Sequence, residues 1–261
     1  TAQIKENYPG RFLFCASLPL PDVSAAVDEA IYALDTLGAD GIKLATNSSG
    51  QYLGDAELDS LMEVLDERNA VVILHPHRPT PVNEGIISTT PLAVYEYPAE
   101  TTRAVINMIA NNVPARYPNV KFVIPHSGSF LPLAIPRMKS IHRAMVAKGI
   151  MQEVDWEANM KNFYYDLAGS TAPDVIEALL SITTPGHLLY GSDYPYLPAQ
   201  VLVSGKRLLE DNVAANQNLL PYMSDIFSGN AERLFSADKE REQKSEPTMC
   251  AKLPMSSDGI I

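Results

Sequence analysis

Repeated βα units around a parallel sheet are the fold this sequence predicts, and three observations point to it: short apolar runs, helical patterns between them, and turn residues at the joints. The runs are FLFCASLPL (12–20), GIKLAT (41–46), VVILHPH (71–77), KFVIPHSG (121–128), FYYDLAG (163–169) and LLYGSDYP (188–195). Each is short enough for a strand, with turn residues at or near its ends. The first is apolar almost throughout, as suits a strand with neighbours on both sides. Between the runs, DVSAAVDEAIYALDTLG, DAELDSLMEVLDERN and AETTRAVINMIANNV place apolar residues near helical spacing, with an initiating Asp or a Glu in the first turn. These segments read as crossover helices.

The stretch from Pro76 to Glu100 holds five prolines and no helical period, so it reads as a functional loop following a strand end. From about Ser236 the sequence turns polar and loses periodicity. Residues 1–236 are therefore expected to form the folded domain and 237–261 a polar tail.

The 261 residues carry a formal net charge of −11 with no Lys/Arg cluster, which disfavours nucleic acid as a partner. No apolar run approaches the roughly 20 residues that span a bilayer, and TAQIKENYPGR lacks the apolar stretch of a signal peptide. A cytoplasmic protein without a membrane partner is expected. Cys15 and Cys250 are too few and too far apart for a disulfide framework or a thiolate zinc site, so any metal must be held by His and carboxylate.

The polar residues fall at strand ends. His75 with His77, His126, Asp166 and Asp193 lie at or just beyond the C-terminal ends of four runs. In a parallel barrel those ends converge on one face, where active sites form. Two imidazoles and a carboxylate meeting there make a metal site or an acid/base pair. Singly, His75 also reads as a buried histidine bound to a carbonyl, Asp193 as a turn cap, and Asp166 as a packing residue. Their joint placement favours one site. Arg137 follows at the start of the next helix, suited to a carboxylate fork or a solvated helix face. His142 and His187 have no positional argument and read as peripheral.

The motifs VVILHPHRP, FVIPHSGSFLPLAIPR, LLYGSDYPY and NAERLF resemble the amidohydrolase-2 group of the amidohydrolase superfamily. That group includes aminocarboxymuconate-semialdehyde decarboxylase and the salicylate-type decarboxylases. The stretch ADGIKLATNSSGQYLGDAELDSLMEVLDERNAVVILHP with YPAETTR most resembles the 6-methylsalicylate decarboxylase branch. The resemblance spans roughly residues 8–236. It implies a TIM (β/α)8 barrel of the metal-dependent hydrolase type, His75 and Asp193 as metal ligands, and His126 as the catalytic histidine. It also implies that Arg137 reaches a neighbouring subunit's substrate carboxylate, hence a homodimer, while His77 lines the substrate loop.

The family carries a His-x-His or Glu-x-His pair on its first strand, and no such pair precedes residue 75 here. Six runs also fall two short of eight strands. The expectation is that the first two βα units are missing from this chain, ~60–80 residues that include a metal-binding His/Glu pair. The implied activity is metal-dependent non-oxidative decarboxylation of a small aromatic or enoic carboxylic acid, with Zn2+ ahead of Mn2+ as the ion. There His126 or Asp193 delivers the proton to the carbon that bears the carboxylate. Hydrolysis of a C–N, C–O or C–C bond uses the same ligands and is the alternative; an inactive remnant serving as an interaction module is the third reading.

Overall fold

A computed structural model of the chain describes residues 1–79, 81, 90–169 and 172–236. The tail expected over 237–261, Cys250 included, lies outside the described residues, as do residues 80 and 82–89 of the Pro-rich stretch.

All six apolar runs form strands: β1 (Cys15–Ser17), β2 (Gly41–Ala45), β3 (Val71–His75), β4 (Lys121–Ile124), β5 (Phe163–Asp166) and β6 (Leu188–Leu189). They pair in parallel and in chain order, each with the next. Chain-order neighbours joined by helices are the barrel pattern. Among the described residues β1 pairs only with β2 and β6 only with β5, so the sheet stays open between them. The strands are shorter than the apolar runs, because residues past each strand end turn into loops that line a cavity. A two-residue antiparallel ribbon, Asn47–Ser48 against Gln51–Tyr52, follows β2 and was not foreseen from sequence.

The helices are α1 (Ala2–Asn7), α2 (Val23–Ile31), α3 (Asp59–Glu67), α4 (Glu96–Ala110), α5 (Val113–Arg116), α6 (Leu131–Ala147), α7 (Trp156–Met160), α8 (Pro173–Leu180), α9 (Ala199–Ala215) and α10 (Asn230–Ser236). Asp22 caps α2, its side chain accepting from Ala25 N at 3.0 Å; Asp155 does the same for α7 from Ala158 N at 2.9 Å. The three expected crossovers are α2, α3 and α4. α2 continues through a π-helical turn, Tyr32–Thr36.

Two expectations about helix starts are corrected. α4 begins at Glu96, inside the stretch read as loop, because Pro98 sits in its first turn, where a missing N–H costs no hydrogen bond. α6 begins at Leu131 for the same reason, with Pro132 in the first turn. That puts Arg137 at the seventh helical residue rather than at the helix start.

The alternation of strand side chains sorts the core into two faces. Ile42, Leu44, Val72, Leu74, Phe122, Ile124, Phe163 and Tyr165 face the helices and join one large apolar cluster. On the other face Val71, Val123 and Leu189 pack with Leu234 of α10. Full burial of a Leu or Phe side chain stabilises by about 1.5–3 kcal/mol, and these layers hold the strand ends in register. Among the described residues no helix is long and apolar enough to cross a membrane.

Candidate active site

The C-terminal ends of the strands open into a cavity of about 940 Å³. His75, His77, His126 and Asp193 all line it, together with Lys43 and Tyr196. The structure thus gathers four of the five residues expected to bind or react.

His75 is the last residue of β3, and its Nδ1 lies 3.0 Å from the carbonyl of Pro76. With Nδ1–H donating to that carbonyl, Nε2 is left as the free lone pair, the arrangement that fixes a metal-binding tautomer. Burial pushes the His75 pKa below its ordinary value, and the nearby Lys43 ammonium adds to the effect. The ring is therefore neutral near pH 7. It stacks on Tyr196 with centroids 6.0 Å apart and meets His126 edge-on at 6.1 Å.

His126 and Asp193 reach the cavity through strained backbone. His126, Ser127 and Ser129 have φ of 56°, 52° and 57°, and Asp193 has φ of 55°, a region that costs a residue with a Cβ about 1–3 kcal/mol. Such outliers cluster where a site demands a particular placement. His126 Nε2 then lies 3.9 Å from Asp193 Oδ2, while His126 Nδ1 is buried without a hydrogen-bond partner among the described residues. Asp166, read from sequence as possible packing, accepts from the backbone N–H groups of His126 and Ala168, both at 3.0 Å. It anchors the turn that carries His126. Burial raises its carboxyl pKa, against those two amides and His126.

His77 is exposed at the cavity wall, with its backbone N–H donating to Thr46 Oγ1 at 3.1 Å. Arg137 is exposed on α6 and does not line the cavity of its own chain. His142 bonds Gln152 O at 3.2 Å and meets Trp156 edge-on, and His187 pairs with Thr184 and packs on Tyr164. Neither lines the cavity.

Two features escaped the sequence reading. Lys43 is a cation in the middle of the apolar run GIKLA, and that break in apolarity was the available signal. The other is a polar network under the loop after β3. Glu100, fully buried, accepts from Asn47 Nδ2 at 3.0 Å, Tyr52 Oη at 2.6 Å and Arg103 Nε at 2.8 Å. Asn47 also donates to the Arg78 carbonyl at 3.3 Å, tying that loop to the ribbon and α4. Burial and the Glu100 carboxylate push Tyr52 up to about 12. No local pattern announces these partners, which are about 50 residues apart in sequence.

The chemistry of the donors suits a divalent ion: a neutral imidazole with its second nitrogen fixed, facing a carboxylate. The number does not complete a site. A catalytic ion normally keeps three protein ligands, and among the described residues no group of three His, Cys, Asp or Glu side chains gathers.

The family model described as Amidohydrolase matches residues 2–237. The 6-methylsalicylic acid decarboxylase of Penicillium expansum is 35% identical over 214 residues, which cover 80% of this chain and 65% of that protein. A solved amidohydrolase II superposes with a TM-score of 0.79 at 34% identity, covering 90% of this chain and 74% of its own. The 5-carboxyvanillate decarboxylase of Novosphingobium aromaticivorans, solved with bound manganese, has a TM-score of 0.79 at 20% identity, covering 90% and 68% respectively, and so shares the fold. The chain spans just under two thirds of the length of the fungal relative.

Proposed function

The chain belongs to the amidohydrolase family, and from that premise we propose that it is a metal-dependent non-oxidative decarboxylase of a small aromatic or enoic carboxylic acid. The observation that carries the reading is the convergence of His75, His126 and Asp193 on one cavity in a chain similar to a 6-methylsalicylic acid decarboxylase. A cavity of about 940 Å³ is ample for a single-ring acid.

His75 and Asp193 would hold the ion. When bound, a divalent ion supplies Lewis-acid polarisation and a template for the substrate's carboxylate and adjacent oxygen. Zn2+ is our choice on donor chemistry, with Mn2+ the competitor.

His126 handles the proton. Its Nε2 delivers a proton to the ring carbon that bears the carboxylate, and Asp193, 3.9 Å away, stabilises the charged imidazole before transfer. The bond to the carboxylate carbon then breaks, its electron pair restores the conjugated system, and CO2 leaves. Asp166 keeps His126 in place by holding its backbone N–H. His77 at the wall and Tyr196 beside His75 limit how the ring can lie.

Arg137 is assigned to a neighbouring subunit's substrate. In support, it stands on α6 between Leu133 and Ile141, apolar residues exposed by 78% and 37% one turn to either side, as suits a homodimer face. Cytoplasmic residence belongs to the same reading and rests on the sparse cysteines.

A panel of carboxyl-labelled aromatic and enoic acids tests the activity. Labelled CO2 from at least one of them is the expected result; C–N, C–O or C–C hydrolysis without CO2 would move the chain to the hydrolase reading.

A further inference from the structure

Lys43 is exposed on the cavity face of β2, between the buried Ile42 and Leu44. In β2 it lies opposite Ser17 of β1 and Ile73 of β3, and His75 is two residues beyond Ile73 on the same face. Two residues of strand rise roughly 6.6 Å, so Lys43 sits one side-chain layer deeper than His75. It lines the cavity, and no hydrogen bond or ion pair joins its ammonium to a described residue. The cavity's other lysine, Lys206 on α9, is already paired with Glu210. The carboxylates nearest the chemistry are also spoken for, since Asp193 faces His126 and Asp166 holds two backbone amides. Much of the remaining wall is apolar, with Leu18, Leu20, Leu44 and Val94.

An exposed ammonium with no described partner, on a cavity wall that is otherwise largely apolar, attracts an anionic group that enters the cavity. The chain as a whole is acidic, so the cavity's positive charge is local and directional. We propose that Lys43 is a specificity-determining residue that binds a second anionic group of the substrate, one layer away from the carboxylate held at the His75–Asp193 corner. The substrate class is then a dicarboxylic acid, or an acid with another fully ionised oxygen group. This rests on the decarboxylase reading for the identity of the first carboxylate.

The test uses two unreactive probes that differ by one charge, isophthalate and benzoate, titrated calorimetrically into the wild-type chain, Lys43→Met and Lys43→Arg at pH 7.5. Wild type should bind isophthalate more tightly than benzoate. Lys43→Met should weaken isophthalate by about tenfold or more, the scale of one charge-assisted hydrogen bond, with benzoate changed less than about twofold. Lys43→Arg should retain most of the preference. Equal loss of both probes in Lys43→Met, or no preference in wild type, overturns the proposal; thermal melts establish that the variants are folded. The decarboxylase reading fails separately. CO2 release without a dianion preference removes only the role of Lys43, whereas a Lys43-dependent preference without CO2 release from any acid removes only the decarboxylase. A chain that binds neither probe removes the Lys43 site outright.

Discussion

His126 and Asp193 face each other at 3.9 Å from two different loops, and both have left-handed backbone, φ 56° and 55°. Neither loop would choose that conformation for its own sake. The strain is tolerated because the layers beneath are fully packed and because Asp166 holds the His126 amide.

Replacing His126 by Ala should lower turnover by about 10²–10⁴-fold, the usual scale for a general acid, while bound metal stays nearly constant. Turnover is read from CO2 release and metal from elemental analysis. Metal lost together with activity would make His126 a ligand.

His75→Ala and Asp193→Ala should each deplete the metal. Elemental analysis after gel filtration checks this, and full occupancy in either variant would defeat the assignment. The depressed pKa of His75 adds a direction: its free Nε2 stays available to somewhat lower pH than an ordinary imidazole near 6.5 would allow.

Arg137→Ala and His126→Ala subunits, each impaired alone, should recover part of the activity when mixed. One site in the mixed dimer then has both residues intact. Verified heterodimers with no recovery would confine Arg137 to its own subunit or to the surface.

Glu100→Ala should destabilise the fold by about 1–3 kcal/mol, because Asn47 and Tyr52 lose their buried acceptor. Urea unfolding measures the loss. Tyr52→Phe should cost less, since it removes one donor and leaves the carboxylate with its other partners. An unchanged midpoint in Glu100→Ala would mean that the network contributes nothing.

His187 gives a pH dependence of stability. Burial lowers its folded pKa below 6.5, so the unfolded chain takes up the proton first. Its contribution is complete above the unfolded value and is lost as the pH falls through the window down to the folded one. The drop in Tm between pH 7.5 and 5.5 should be smaller in His187→Asn than in wild type. An equal drop in both would remove His187 as the cause.

Periodicity and turn residues were enough to place every strand of the sheet, because each strand's burial is written in a contiguous apolar run. The same pattern placed His75, His126 and Asp193, since a polar residue at the end of such a run has one place to go in a parallel sheet. Local sequence did not mark where helices start near proline: α4 and α6 begin earlier than expected, with Pro98 and Pro132 in their first turns. The tertiary structure alone decided which polar groups meet. Glu100 reaches Asn47 and Tyr52, Asp166 reaches the His126 backbone, and Lys43 faces the cavity because the pleat of β2 turns it there. Burial of apolar surface is additive along the chain and therefore visible in sequence, whereas a hydrogen bond or a charge placement depends on the position of a partner 40 or 50 residues away, which only the packed fold supplies.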